Sequence, residues 1–217
     1  MRRAVPFLLL LGLCCMPALT ALAQEAEASV VVVKVDGSID GTIVGYLEGQ
    51  LEDAESAGST VVLQIDSAGT LDQDAVELAR RVHEATVPVV AWVGPSPAKA
   101  QGAGLLLVLA ASVGAVAPGV GVGPLTPLDL AGAPEPAVID VEDLVATWAE
   151  DAGRDAPSIP RVPIPAGPAI ERGLAEVAAA SIPDLLERLD GRTVTTSGGE
   201  VVLRTEIARA EGDEPVN

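Results

Sequence analysis

Aromatic side chains are nearly missing from this chain: beyond the first 23 residues only Tyr46, Trp92 and Trp148 remain. A core must therefore be built from Val, Leu, Ile and Ala. Cysteine is confined to Cys14 and Cys15, near the N-terminus. Any chain that has lost that segment has no disulfide, no thiol nucleophile and no Cys-ligated metal. Cations are scarce, with 13 Lys and Arg against 31 Asp and Glu and a formal net charge of −18. Such a surface repels nucleic acid phosphates and anionic lipid headgroups, so no nucleic acid partner is expected; the acidity itself is read as a means of solubility. No His/Asp/Glu cluster at metal-ligand spacing, phosphate loop or dinucleotide fingerprint occurs, and neither cofactor nor metal is expected. The only histidine, His83, falls on a helical stretch between Arg81 and Glu84, where a solvated position is expected. Lysine is limited to Lys34 and Lys99.

What is present begins with a leader. Met1-Arg2-Arg3, an apolar run from Ala4 to Leu13, and Ala21-Leu22-Ala23 have the layout of a secretory signal peptide cleaved after Ala23. Two alternatives stand beside it. Cys14 and Cys15 would suit a lipoprotein signal, except that Leu13 stands where that signal wants a small residue. An uncleaved anchor would need a longer apolar run, since spanning takes roughly 20 residues. Cleavage removes Arg2 and Arg3 and no acid, taking the formal charge from −18 to −20. The expected destination is extracytoplasmic or periplasmic, with membrane association possible through a retained leader. The expected division is residues 1–23 as signal peptide, 29–205 as one domain of ordinary size and 206–217 as a loose acidic tail.

Along that domain the pattern alternates. Ser29 to Val35 is a β-branched run closed by Gly37, suited to a buried parallel strand. Ile39, Ile43, Leu47, Leu51 and Ala54 recur at helical spacing up to Gly58, a plausible stop. Thr60 to Ile65 reads as a strand, Asp66 to Thr70 as a turn, Asp72 to Ala85 as an amphipathic helix and Val87 to Val93 as a third strand. Further on, a helix is expected over Val138 to Gly153, irregular chain over the proline-dense Arg154 to Pro168, and a short helix over Ala169 to Leu174. Glu176 to Ala179 reads as a strand, and Ser181 to Leu189 as a helix capped by Ser181. Thr193 to Thr196 and Glu200 to Leu203 complete a hairpin through Ser197-Gly198-Gly199. Strand and helix alternation of this kind predicts an α/β domain with a mainly parallel sheet, whose ligands gather at the carboxyl ends of the strands.

The stretch from Gly94 to Gly123 sits at one of those ends. No charge occurs between Lys99 and Asp129, and on length alone residues 100–128 would suffice to span a membrane. Gly102, Gly104, Gly114, Pro118, Gly119, Gly121, Gly123 and Pro124 break the run, and a buried helix Ala103 to Ala111 followed by a strand Val113 to Ala117 is the preferred reading. A glycine-rich loop entering an apolar helix aims backbone N–H groups and the helix dipole at whatever occupies the loop. Pro118 to Pro136 is expected to be a long loop bordering a cleft.

In order, Val31 to Asp36-Gly37-Ser38-Ile39-Asp40, Val61 to Asp66 with Gly69, Val87-Pro88-Val89-Val90, Pro95-Ser96 to Ala103-Gly104, Ala117-Pro118-Gly119 with Gly123, and Leu189-Asp190-Gly191-Arg192 with Gly198-Gly199 resemble the membrane-associated ClpP-class serine proteases of the nodulation-efficiency protein D (NfeD) family. The resemblance covers nearly all of Val30 to Thr205. It implies a ClpP/crotonase-like spiral of βαβ units and, in active members, a Ser-Lys dyad with an oxyanion hole of backbone N–H groups. Carried over by position, the serine falls on Gly102 and the oxyanion donors on Gly69 and Ala103. The base would lie in Val138 to Gly153, which has no lysine. A degenerate site that binds peptide segments or a membrane protein is therefore expected. Stomatin-like partners and homo-oligomers are implied by the family alone. The enzyme alternative relocates the chemistry to Ser96 and Lys99, whose Ser-x-x-Lys spacing serves as a dyad when both residues stand on a first helical turn. Ser67, beside Gly69, has no base nearby in sequence, and Asp66 is suited to cap the turn that follows it. A purely structural oligomer is the third reading.

Overall fold

The computed structural model describes residues 29–132 and 138–205. The leader, the acidic tail and the end of the Gly/Pro-rich loop lie outside these residues.

The first βαβ unit shows how the sequence enforces the alternation. Strand β1, Val30–Ile39, inserts Val33, Val35 and Ile39 into the core. Asp40 ends it and caps helix α1, Gly41–Ala57, its carboxylate accepting the Thr42 and Ile43 N–H groups at 2.9 and 3.0 Å. Leu47, Leu51 and Ala54 form the buried stripe of that helix, and Gly58 stops it with a left-handed backbone (φ 68°). Strand β2, Thr60–Thr70, then runs parallel to β1 from Val30↔Thr60 to Ile39↔Thr70, with a register shift between Gly37 and Ser38. The turn expected over Asp66 to Thr70 is thus strand. Its Asp, Ser and Gly carry turn propensity, but their backbone groups find partners in Asp36 to Ile39, which extend β1 beyond its expected end.

Helix α2, Ala75–His83, begins three residues later than expected: Asp72 has a positive φ of 52°, and Asp74 is the cap, accepting the Val76 and Glu77 N–H groups. Strand β3, Val89–Val93, leads through the short strand β4, Lys99–Ala100, into helix α3, Ala103–Ala110, and strand β5, Val113–Val116. All eight residues of α3 are buried, so its apolarity is that of a core helix packed against α2 and β2. Among the described residues no helix is long and apolar enough to cross a membrane.

The remaining elements are β6 (Gly121–Val122), α4 (Val138–Asp151), β7 (Ile164–Pro165), α5 (Ala166–Glu171), β8 (Val177–Ala178), α6 (Ile182–Leu189) and the hairpin strands β9 (Thr193–Thr196) and β10 (Gly199–Val202). Two segments expected to be irregular contain β6 and β7, and α5 starts at Ala166 rather than Ala169. Ser181 does cap α6, accepting the Asp184 N–H at 3.3 Å. The large sheet has the order β7-β6-β4-β2-β3-β5-β8 with β1 also on β2. Its pairings are parallel except β6 with β7. The expected mainly parallel α/β architecture with a C-terminal hairpin is the one observed. Trp92 is the one aromatic among the largest fully buried side chains, and its indole N–H donates to the Ala179 carbonyl at 2.9 Å; Trp148 is the other aromatic in the core, and aliphatic residues fill the rest.

Candidate functional site

The carboxyl end of β2 and the N-terminus of α3 meet over a few ångströms of backbone. Gly102 precedes α3 with φ 50° and ψ −126°, a sharp strand-to-helix turn of the strained kind in which hydrolases hold a nucleophile. A Cβ there would lie 2.2 Å from the Pro127 carbonyl oxygen and 2.6 Å from that of Ala68. Gly102 therefore has neither a side chain nor room for one in this conformation. Close packing continues into the helix, where a Cβ on Gly104 would stand 2.7 Å from the Ser67 carbonyl oxygen. Small residues let α3 lie directly on the β2 backbone.

The backbone N–H groups around this turn are differently engaged. The Ala103 N–H, at the first position of α3, has no acceptor among the described residues. The Gly69 N–H points to its neighbour Ser67 Oγ at 3.4 Å. Gly102 donates its own N–H to the Pro124 carbonyl at 2.9 Å. Pro124 to Leu130, expected to border a cleft, instead passes over Gly102 and Gly69: a Cβ on Gly69 would be 2.7 Å from the Leu128 carbonyl oxygen. The Thr70 N–H donates to that carbonyl at 2.9 Å, and the Leu130 N–H donates to the Thr70 carbonyl at 2.8 Å. Thr70 Oγ1 donates to Asp129 Oδ2 at 3.1 Å, and Asp129 Oδ1 accepts the Ala131 N–H at 2.8 Å. Both Thr70 and Asp129 are buried. Sequence reasoning missed this segment because prolines and a glycine at its start signal loop; the alternation Leu128-Asp129-Leu130 was the available sign of an extended run.

The atoms nearest a Cβ on Gly102 are backbone atoms of Pro127 and Ala68, and none belongs to another candidate side chain. Ser96 is exposed in the turn between β3 and β4, its Oγ donating to the Gly119 carbonyl at 3.3 Å, and no hydrogen bond joins it to Lys99. Lys99 is exposed in β4, so the pair shares no helical turn. Asp66 secures that strand by accepting the Lys99 N–H at 3.0 Å, rather than capping a turn. Ser67 is fully buried within β2. Helix α4 carries no lysine and turns Val141, Val145 and Trp148 inward. His83 is not the solvated side chain expected: its ring stacks on Trp148 with centroids 5.1 Å apart, and Nε2 lies 3.7 Å from Asp151. That pair lines a cavity of about 490 Å³ with Arg80 and Arg154, beside Ala110 and Ala111. Eight helical residues, about 12 Å, separate it from Gly102.

No protein-family model matches the chain. In sequence it is similar to a membrane-bound protease of Pyrococcus horikoshii, PH1510, with 22% identity over 180 residues, 76% of this chain. The chain spans 41% of the length of that curated relative. In structure it is similar to a lysine-to-alanine mutant of the 1510-N membrane-bound stomatin-specific protease in complex with a substrate peptide, with a TM-score of 0.68, 23% identity, and coverage of 82% of this chain and 88% of that one. A serine-to-alanine mutant of the same protease gives a TM-score of 0.67 at 22% identity, over 82% of this chain and 93% of that one. The resemblance carried by the ordered motifs is thus met in sequence and in fold.

Proposed function

We propose that this chain is a protease-fold protein that binds extended peptide segments without cleaving them, with membrane proteins of the stomatin type as the class of partner. The observation that carries this reading is Gly102. It stands at the turn into α3 where a nucleophile would be presented, without a side chain and with carbonyl oxygens 2.2 and 2.6 Å from any Cβ. Acyl transfer needs an atom that attacks the carbonyl and a base that takes its proton. At this turn the first is missing, and α4 supplies no lysine for the second. What persists is binding apparatus: the Ala103 N–H, the β2 edge and the dipole of α3. That a structure of the similar protease holds a substrate peptide supports peptide binding as a property this fold can serve. Export by the N-terminal leader would put the domain where extracytoplasmic segments of membrane proteins are within reach.

The enzyme reading would rest on Ser96 and Lys99, and geometry gives it little support. Ser96 Oγ is engaged by Gly119, and Lys99 stands on an exposed strand. The test is turnover of casein and of a fluorogenic peptide mixture by the leader-free protein, beside its Ser96→Ala variant. Both are expected to match buffer. Hydrolysis by the parent that disappears in Ser96→Ala would overturn the binding reading.

A further inference from the structure

We infer that Pro127–Leu130 is an occupant of the peptide groove built into the chain, so that any peptide binding there in trans must first displace this segment. The inference rests on the reading of the β2 edge as a peptide site and adds what controls access to it.

Strand β2 has one edge covered by β1 along its length. Its opposite edge is taken in turn by β3 at Val61 to Ile65, by β4 at Ser67, and then by Asp129 opposite Thr70. The last partner makes the contacts that an extended peptide makes when it adds to a sheet edge: the Leu128 carbonyl accepts from Thr70, and the Leu130 N–H donates back to Thr70, at 2.9 and 2.8 Å. Side-chain recognition accompanies them. Leu125 and Leu128 are 2% and 3% exposed, and Asp129, 5% exposed, is held by the Thr70 hydroxyl. The Pro127 carbonyl lies over Gly102 and the Leu128 carbonyl over Gly69, so backbone oxygens of the chain itself occupy the space facing both glycines.

The segment is suited to holding that place at low entropic cost, because Pro124 and Pro127 have fixed φ angles and no N–H groups needing acceptors. As part of the same chain it competes at an effective concentration on the order of millimolar. A trans ligand is bound with its intrinsic constant divided by the fraction of molecules in which the segment is released. The chemistry of the occupant indicates the class of ligand: an extended apolar stretch interrupted by one carboxylate, in the manner of Leu128-Asp129-Leu130.

The test uses a fluorescein-labelled peptide with the sequence of residues 123–132, titrated by fluorescence anisotropy into the leader-free protein and into its Asp129→Ala and Leu128→Ala variants. These substitutions weaken the internal copy and leave Thr70 and the rest of β2 intact for the added one. Circular dichroism and a cooperative melt establish that each variant is folded. Amide exchange at Thr70 and Leu130 is followed alongside, and in the parent chain it needs no variant. Expected are binding at least about tenfold tighter in the folded variants than in the parent, and faster exchange of the Leu130 amide in the parent on saturation with peptide. Equal affinity for parent and variants, with Leu130 exchange unchanged by peptide, would overturn the built-in occupant and leave the peptide site standing. A folded variant whose Leu130 amide exchanges freely, yet which takes up no peptide at millimolar concentration, would overturn the peptide-site reading, and this inference with it.

Discussion

Gly102 concentrates the argument about chemistry in one residue. Replacing it with serine supplies a hydroxyl but sets a Cβ 2.2 Å from the Pro127 oxygen in a backbone with φ 50°. The Gly102→Ser variant is expected to lose at least about 2 kcal/mol of stability in urea unfolding and to remain without peptidase activity; turnover by this single variant would reveal a base on another element. A second residue-scale effect joins α1 to α2. Arg81 grips Glu55 with two hydrogen bonds of 3.1 and 2.8 Å, and the Thr86 N–H adds a third at 3.0 Å. The Arg81 hydrogen bond, against the opposing cost of burial, holds the Glu55 carboxyl below the ordinary glutamate range. A lowered folded-state value stabilises the protein above the pH at which the unfolded glutamate titrates, about 4.3, and that stability is lost as pH falls through the folded value. Glu55→Gln is therefore expected to cost about 1 kcal/mol at pH 7 and to flatten the dependence of the urea midpoint on pH below about 4.5. Neither the Glu55–Arg81 pair nor the closed space at Gly102 was legible in the sequence, since both depend on residues far apart along the chain meeting in space. The identity of Gly102, and the lack of lysine in α4, could be read directly.

At the scale of elements, local signals served well wherever a helix ends in a cap. Gly58 and Ser181 were read as stop and start, and both act so. Asp74 shows the limit: Asp72 and Asp74 both suit a helix start, and only the left-handed backbone of Asp72 makes the second the cap. Asp74→Ala removes the acceptor for the Val76 and Glu77 N–H groups and is expected to lower the unfolding free energy by about 1 kcal/mol, whereas Asp72→Ala should lose less, having no N-cap hydrogen bonds to break. Strands β2, β3 and β5 were legible because continuous β-branched and apolar runs mark strands buried on both faces; the run of β1 was read the same way, but β1 is an edge strand paired with β2, burying Val33, Val35 and Ile39 and leaving Val32, Lys34 and Asp36 exposed. The second half of β2, the two-residue strands β6 and β7, and the bridge from Thr70 to Asp129 were not legible. Each is defined by a non-local partner rather than by a period in its own residues.

For the molecule as a whole, the order of its motifs carried more than any one of them, and both the parallel sheet and its C-terminal hairpin follow that order. Net charge acts at the same scale. With a formal charge of −18, mutual repulsion opposes the compact state and salt screens it over a Debye length of about 10 Å at 0.1 M. The thermal midpoint is expected to rise as sodium chloride is increased from low ionic strength; a fall would show that attractive pairs such as Glu55–Arg81 and Arg154–Glu176 outweigh the repulsion. The central claim is that a protease-like fold remains here without a nucleophile at the turn into its buried helix. Its most direct test is the intact mass of the leader-free protein after prolonged exposure to a fluorophosphonate probe, which marks any serine activated for acyl chemistry. The mass is expected to stay that of the unmodified chain; a stoichiometric adduct mapped to any single serine would contradict the claim.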